Sequence, residues 1–474
     1  MAASESRAWP APTVTLWGAA QEVTGSKHVA LVAGKQILLD CGLVMEKTPD
    51  TRERNATFPF DPYRIDAVLL SHAHLDHSGN LPNLVRQGFS GPIYCTRATR
   101  DLLRCMLPDS ARIQEGDAQR FNAARDPGEA WVEPNYGFAD VDDTLEQIRA
   151  IDYDEIIELG PGLNARFLPA GHVIGSGIVH LQFDDGVRVH RLTYTADLGR
   201  RNLPLLPPPA PLPASDLVLC ESTYGGQIHE SWELMLEALR VLTAQTTQRG
   251  GKLLIPAFSL GRTQLLVFAF QHLMATGKLP QVPIFVDSPL AAALTAVYLR
   301  HLDELAAPIA ARFADRPDSF LTGPGIKYLR SQEESKFLND LAEPAIIIAS
   351  SGMSEGGRIV FHLKRWIDDP RCTVVLVSFQ APGTLGARLL EATPTVRIHG
   401  KDWNKWADIV ALRGFSAHAD QADLIAELEG LNPRTSRVVL VHGDPAQAMA
   451  LLDQLKQRGY ASAGLGVYGE VLSW

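Results

Sequence analysis

The segment 71–77 reads SHAHLDH and decides how the rest of the chain is interpreted. It carries imidazole or carboxylate groups at His72, His74, Asp76 and His77, and it begins at the end of the strand-length apolar run Ile65–Ser71. A loop at the end of a strand can direct several side chains at one point. Imidazole and carboxylate together suit zinc, and also iron or manganese. The spacing therefore predicts a metal site at the end of a buried strand.

Three further ligand candidates lie far from this segment: His172, Asp197 and His442. Each follows the end of a short apolar run and lies beside or close to a glycine. The runs are Ala165–Pro169, Thr193–Ala196 and Arg437–Val441. Any one of these residues alone is explained equally well as a structural residue. Because all three share the context of segment 71–77, we expect them to complete the metal site.

The rhythm of predicted elements changes twice along the chain. Residues up to about 200 are rich in predicted strands, with one long predicted helix at 96–124. The proline-rich segment Pro204–Pro213 indicates a boundary. Short apolar strands then alternate with helices such as 261–276, which is typical of a parallel α/β domain. From about Thr393 strand-like segments return.

Composition limits the class of protein. The chain has 474 residues, which favours two domains, and 46% hydrophobic residues, which is ordinary for a globular protein. A formal net charge of −10 counts mildly against nucleic-acid binding, although a local basic surface can still hold phosphate. Five scattered cysteines without a CxxC pair indicate reduced thiols and a cytoplasmic location. No signal peptide and no membrane span are predicted.

The motifs together resemble the metallo-β-lactamase superfamily, and within it the β-CASP nucleases. The resemblance covers nearly the whole chain. The four superfamily motifs correspond to Asp40 in LDCG, the segment 72–77, His172 and Asp197. The β-CASP motifs A, B and C correspond to Glu221 in CESTYG, His418 in GFSAHAD and His442 in VHGD. The pattern is most similar to bacterial and archaeal relatives of the endonuclease that cleaves mRNA 3′ ends.

This resemblance implies a fold and its division into domains. The expected fold class is α/β: an αββα metallo-β-lactamase sandwich with an inserted α/β β-CASP domain. The sandwich is expected to comprise residues 1–215 and 393–474, and the β-CASP domain residues 216–392. The two changes of rhythm along the chain agree with such an insertion.

The resemblance also implies a catalytic site with two Zn²⁺ per chain. One zinc would be held by His72, His74 and His172, the other by Asp76, His77 and His442, with Asp197 bridging both. The catalytic set comprises Asp76, already a ligand, together with Asp40, Glu221 and His418. Asp40 would orient a ligand imidazole, His418 would act as general acid, and Glu221 would orient His418. The expected products are a 5′-phosphate and a 3′-hydroxyl.

RNA is the expected substrate, since motif C is histidine in the RNA-acting members of the family. RNA processing or decay is the expected role, while internal or terminal cutting stays open. The loop that joins a predicted strand to a helix at 350–358 is expected to contact phosphate. The predicted substrate-binding residues are Ser351, Gly352, Ser354, Gly356, Arg358 and Arg262. No membrane partner is expected; the oligomeric state is open, and a homodimer would fit the family.

Three other interpretations remain open at this point. GMSEG at 352–356 fits the GxSxG pattern of serine hydrolases, but that function would leave segment 71–77 unexplained. A hydrolase of a small-molecule ester, thioester or lactone would use the same metal site, and the long insertion, Glu221 and His418 argue against it. A non-enzymatic RNA-binding scaffold would be expected to lack ligands, and here every matched ligand is present.

Overall fold

The computed structural model describes residues 9–46, 48–126, 128 and 130–474. The chain forms two compact units. The first unit comprises the residues up to Arg201 together with Pro208–Ile228 and His418–Trp474. The second comprises Asn202–Pro207 and His229–Ala417.

The strands follow one another in this order along the described chain: β1 Thr13–Leu16, β2 His28–Val32, β3 Lys35–Leu39, β4 Ala67–Leu69, β5 Ile93–Thr96, β6 Ile148–Ile151, β7 Ile157–Gly160, β8 Leu163–Pro169, β9 Gly177–Asp184, β10 Val189–Tyr194, β11 Leu217–Glu221, β12 Lys252–Pro256, β13 Ile284–Asp287, β14 Ile326–Tyr328, β15 Ala345–Ala349, β16 Thr373–Leu376, β17 Thr395–Ile398, β18 Lys401–Asn404, β19 Asp408–Ala411, β20 Arg437–Val441, β21 Gly464–Leu465 and β22 Val471–Ser473.

The α-helices follow in the same manner: α1 Thr51–Ala56, α2 Leu75–Ser78, α3 Leu81–Arg86, α4 Arg97–Ala124, α5 Phe138–Gln147, α6 Trp232–Gln248, α7 Arg262–Ala275, α8 Pro289–Arg300, α9 Ala307–Phe313, α10 Gln332–Phe337, α11 Ile359–Trp366, α12 Leu385–Leu390, α13 Gln421–Leu428 and α14 Pro445–Gln457.

Two seven-stranded sheets form the core of the first unit. Their strand orders are β22-β1-β2-β3-β4-β5-β6 and β21-β20-β11-β10-β9-β8-β7. One hydrophobic cluster joins them, because alternate side chains such as Ile37 and Leu39 of β3 and Leu217 and Leu219 of β11 point into the space between the sheets.

Helices cover the outer faces of these sheets. The intervening residues Val218 and Cys220 of β11 pack with Leu424 of α13 and Leu451 of α14. On the other sheet, α4 contacts β5 and β6, and α5 packs against α3 and α4. Two sheets between helical layers confirm the predicted αββα sandwich.

The second unit is built on a six-stranded sheet of order β14-β13-β15-β12-β16-β19, in which all neighbouring strands are parallel. The central strand β15 reads AIIIA and is buried at every position, as expected for a sheet covered on both faces. A separate hairpin, β17–β18, packs through Val396 and Ile398 on the cluster that contains residues of α11 and α12. Among the described residues, no helix has both the length and the apolar character needed to cross a bilayer.

Candidate metal centre

The predicted ligands in the first unit all follow the carboxyl ends of strands. His72 lies three residues beyond β4, and His172, Asp197 and His442 lie within three residues of the ends of β8, β10 and β20. Strands β10, β11 and β20 run parallel, so their carboxyl ends meet at one edge of the sheet. This edge is where loops can bring distant residues together.

The first group of ligands consists of His72, His74, His172 and Asp197, whose donor atoms all lie within 4.8 Å of one another. Nδ1 of His74 lies 3.1 Å from Nε2 of His72 and 3.2 Å from Nε2 of His172. Oδ2 of Asp197 lies 3.3 Å from Nε2 of His72 and 3.4 Å from that of His172. Three ring nitrogens and one carboxylate oxygen therefore converge on one point.

The second group consists of Asp76, His77 and His442, again with donor atoms within 4.8 Å. The Nε2 atoms of His77 and His442 are 3.0 Å apart, and Oδ2 of Asp76 lies 3.5 Å from Nε2 of His442. Oδ1 of Asp197 lies 3.1 Å from Nε2 of His77 and 3.5 Å from Nε2 of His442. Asp197 thus directs one carboxylate oxygen at each group.

The protonation states of the first group favour metal binding. Burial lowers the pKa of His72, lowers that of His74 to about 3 and lowers that of His172 well below its usual value. These rings are neutral at physiological pH, which is the form that binds a cation. Neutral rings with nitrogens about 3 Å apart direct lone pairs at a shared point, so the donors present fit a bound divalent metal ion.

His77 differs, because two carboxylates flank it. Burial lowers its pKa, but the carboxylates of Asp197 and Asp40 raise it more, so that the pKa lies well above its usual value. A cation bound at Nε2 would displace the ring proton of His77, and metal affinity of the second group would therefore fall as the pH decreases.

Asp40 orients ligands of both groups from a fully buried position. Its carboxylate accepts hydrogen bonds of 2.7 Å from Nδ1 of His77, 2.7 Å from Oγ of Ser71 and 2.8 Å from the hydroxyl of Tyr194. Oγ of Ser71 also lies 3.0 Å from Nδ1 of His72. Through Ser71, one carboxylate fixes ring orientations in both groups.

Three of these positioning contacts were not predicted from the sequence: those of Ser71, Tyr194 and Thr223. Oγ1 of Thr223 lies 3.0 Å from Nδ1 of His442, on the side of the ring away from the other ligands. Ser71 directly precedes His72, and Thr223 follows Glu221 by two residues. This closeness to motif residues was the one signal in the sequence that could have indicated their positioning role. Tyr194 precedes Asp197 by three residues in a strand pattern and carries no comparable signal.

The backbone is strained at three positions around the centre. Asp40, Ala196 and His442 have φ values of +58°, +47° and +48°. The left-handed conformation is unfavourable for residues other than glycine by roughly 1–3 kcal/mol. Its recurrence at three strand ends that bear functional side chains indicates that ligand direction is maintained against this cost.

His418 and Glu221 form a pair next to the first group. Nδ1 of His418 lies 3.2 Å from Oε2 of Glu221, and its Nε2 lies 3.9 Å from Oδ2 of Asp197. Glu221 is completely buried, and its other oxygen accepts a 2.6 Å hydrogen bond from the amide of Leu198. Burial lowers the pKa of His418, but the nearby carboxylates of Glu221 and Asp197 raise it by more than burial lowers it. The pKa therefore lies above its usual value.

The loop predicted to bind substrate belongs to the second unit and largely closes on itself. The amide of Ser351 donates to the carbonyl of Gly356 at 3.2 Å, and Gly352 packs against the ring of Phe258. Ser354 is fully buried, and its hydroxyl has no hydrogen-bond partner among the described residues. Ser354 therefore has no base beside it, which removes the support for a serine hydrolase.

The two predicted phosphate-binding arginines make internal contacts. Arg358 donates to Asp287 at 2.6 Å and to the carbonyl of Arg330 at 2.9 Å. Nη1 of Arg262 donates to the carbonyl of Val377. Neither contact was foreseen, and both hold guanidinium groups within the second unit, so the role of these arginines in substrate binding stays a prediction.

Three family models match the chain. Residues 35–247 match the Beta-lactamase superfamily domain, residues 263–389 the Beta-Casp domain, and residues 406–463 the Zn-dependent metallo-hydrolase RNA specificity domain. The β17–β18 hairpin lies between the last two matches.

Similar proteins are found among characterised proteins and solved structures. "Ribonuclease TTHA0252" of Thermus thermophilus is 39% identical over 96% of this chain and 98% of its own length. "Transcription termination factor FttA" of Thermococcus kodakarensis is 30% identical over 94% of this chain and 68% of its own length. A protein of unknown function from Enterococcus faecalis shares the fold, with a TM-score of 0.57 at 16% identity over 98% of this chain and 100% of its own.

The geometry and the comparisons agree. Candidate ligands from four separate segments converge in the first unit as the metallo-β-lactamase pattern requires, and the insertion matches the Beta-Casp model. The chain is a metal-dependent hydrolase that belongs to the β-CASP family of the metallo-β-lactamase superfamily.

Proposed function

We propose that the chain is a zinc-dependent ribonuclease that hydrolyses phosphodiester bonds of RNA and leaves a 5′-phosphate and a 3′-hydroxyl. The observation that carries this proposal is the pair of ligand groups joined by Asp197, with His418 beside them and backed by Glu221. When bound, two zinc ions would polarise the phosphate oxygens and lower the pKa of the attacking water.

The residues of the chain would divide the remaining work. His72, His74 and His172 would hold one ion, Asp76, His77 and His442 would hold the other, and Asp197 would contribute to both. Asp76 has the most exposed side chain of the second group, at 21%, and would accept a hydrogen bond from the attacking water. As the water oxygen bonds to phosphorus, the bond from phosphorus to the ribose O3′ breaks.

His418 would supply the proton that this leaving oxygen needs. Its Nδ1 faces the Glu221 carboxylate, and its Nε2 lies on the side of the metal ligands, 3.9 Å from Asp197, where the reacting phosphate would bind. The raised pKa favours the protonated ring, and donation from Nε2 would produce the 3′-hydroxyl. The fixed position of Glu221, which also accepts from Leu198, limits rotation of the ring.

Three observations support RNA as the substrate. Motif C is the histidine His442, the C-terminal segment matches an RNA specificity domain, and the similar protein of Thermus thermophilus is named a ribonuclease. A metal site alone would also serve an ester, thioester or lactone.

Single-stranded RNA labelled at either end tests the proposal. We expect the zinc-loaded chain to cleave it, a chelator to stop cleavage, and added zinc to restore it. The products should carry 5′-phosphates that phosphatase removes. A preparation that leaves RNA intact but hydrolyses members of an ester, thioester and lactone panel would instead support the alternative hydrolase.

Glu221→Gln should move the alkaline limb of the pH profile of kcat to lower pH. The protonated form of His418 is the active form, and its raised pKa keeps that form populated at higher pH. Replacing the carboxylate by a neutral amide removes the main charge that raises this pKa, so we expect the alkaline limb to move to lower pH when kcat is measured against pH. A merely structural role of Glu221 would lower kcat equally at every pH, with no shift.

A further inference from the structure

A group of aromatic and basic side chains lies on the surface of the second unit, between α11 and the tip of the β17–β18 hairpin. We call it the aromatic–basic cluster, and it consists of Phe361, Lys364, His399 and Lys401, with Lys401 lying over Trp403, which packs against the hydrophobic cluster below. The ring centroids of Phe361 and His399 are 5.8 Å apart. The ammonium of Lys364 lies 5.9 Å from the Phe361 ring, and that of Lys401 lies 4.4 Å from the Trp403 ring.

The cluster is held in place from below. Val396 and Ile398 of the hairpin are buried in the hydrophobic cluster that includes Leu363 and Trp366 of α11. The amides of Trp406 and Ala407, just after the hairpin, both donate to the carbonyl of Ile367 at 3.0 Å. The surface side chains therefore project from a packed base, and a ligand that binds them has little backbone to order.

The cluster exposes an apolar aromatic side chain to solvent, which is unusual for a phenylalanine. Phe361 is 59% exposed although it lies on a helix with a fully packed inner face. His399 and Lys401 are also exposed, on either side of Gly400 at the hairpin tip. A phenyl ring left in water beside the Lys364 ammonium group costs apolar burial, which a flat, negatively charged ligand would recover.

The local charge opposes that of the whole chain. The two segments Ile359–Trp366 and Thr395–Lys405 contain five basic side chains and one acidic side chain, Asp402. The chain as a whole carries 44 basic and 54 acidic residues. The surface is thus basic on an acidic protein, which complements a polyanion.

We propose that the aromatic–basic cluster is a binding surface for single-stranded RNA, separate from the residues that hold the metal. This inference rests on the proposed ribonuclease function for the identity of the nucleic acid. Unpaired bases stack on exposed rings such as Phe361 and His399, while Lys364 and Lys401 contact phosphates. An RNA duplex hides its base faces and offers no such stacking, and an acidic protein offers charge without bases.

A matched pair of double variants tests the surface. The test variant is Phe361→Ala with Lys364→Glu. The control is Lys336→Glu with Phe337→Ala, which alters an exposed lysine and a phenylalanine of similar exposure (61%) on α10 of the same unit. All proteins carry His418→Ala to prevent cleavage, and binding of a labelled single-stranded RNA of about 20 nucleotides is followed by fluorescence anisotropy.

We expect the test variant to bind about tenfold more weakly than its parent, and its salt dependence to fall by about one unit of slope for the lost lysine. The control should change affinity less than about twofold, and a duplex RNA should compete poorly. Equal affinities for the test and control variants, or equally effective competition by duplex RNA or polyglutamate, would overturn the proposal.

The same variants without His418→Ala separate this inference from the proposed function. Cleavage of a dinucleotide should be unchanged in the test variant, while cleavage of the longer RNA should have a raised KM. If the unmodified chain cleaves no RNA but its RNA binding still depends on Phe361 and Lys364, the ribonuclease proposal fails and the binding surface stands.

Discussion

His418→Ala is expected to lower kcat for RNA cleavage by about 10²–10⁴-fold, the usual contribution of a general acid, with metal content unchanged. The ring is not among the ligands of either group and lies 3.9 Å from Asp197 through Nε2. Without it, the ribose oxygen must leave as an alkoxide. We would measure kcat together with bound metal per chain.

The nature of the leaving group distinguishes proton donation from a structural role. A p-nitrophenyl phosphodiester releases a phenolate that needs no proton, so its hydrolysis should fall far less in His418→Ala than cleavage of RNA does. His301→Ala, in the second unit, serves as the control and should leave both reactions unchanged. Equal losses for the two substrates, or loss of metal from His418→Ala, would contradict the assignment.

Asp197→Asn is expected to lower activity by at least about 10³-fold and to reduce bound metal. Asp197 directs Oδ2 at the first group and Oδ1 at the second, within 3.5 Å of a ring nitrogen in every case. The amide keeps the shape but loses the negative charge that the two proposed ions would share. Charge stabilisation by a metal ion contributes several kcal/mol to the transition state, and each 1.36 kcal/mol corresponds to a tenfold change in rate.

Metal analysis and thermal unfolding of the same protein show whether the effect is local. The control is Asp453→Asn, which makes the same change from carboxylate to amide at an exposed position on α14 of the same unit. We expect the Asp197 variant to fold but to retain less metal than the control at equal free zinc. Full metal content with activity within tenfold of the unmodified chain would show that Asp197 is not a shared ligand.

Local patterns could predict that the candidate ligands lie at the ends of strands, although the ligand set itself came from the family resemblance. An apolar run predicts a strand, and a polar residue just after the run is therefore expected to lie at the edge of the sheet. This pattern holds for His72, His172, Asp197 and His442. Helices α4 and α7 likewise lie within one residue of the predicted spans 96–124 and 261–276. Local periodicity is sufficient for such features.

Contacts between distant segments could not be predicted in this way. Tyr194 reaches Asp40 only because the two sheets face each other, and Arg358 meets Asp287 only because β13 and β15 are neighbours. The sheet to which a strand belongs could not be predicted either. Strand β11 at 217–221 pairs with β20 in the first unit, and β19 at 408–411 pairs with β16 in the second. Strand order depends on which apolar faces meet in three dimensions, and the sequence pattern carries little of that information.

Anomalous diffraction at the zinc absorption edge, from crystals of the zinc-loaded chain, tests the central claim most directly. We predict two peaks per chain, one bounded by His72, His74 and His172 and the other by Asp76, His77 and His442, with a carboxylate oxygen of Asp197 beside each. A single peak, or two peaks of which either lies away from Asp197, would contradict the paired metal centre on which the proposed reaction depends.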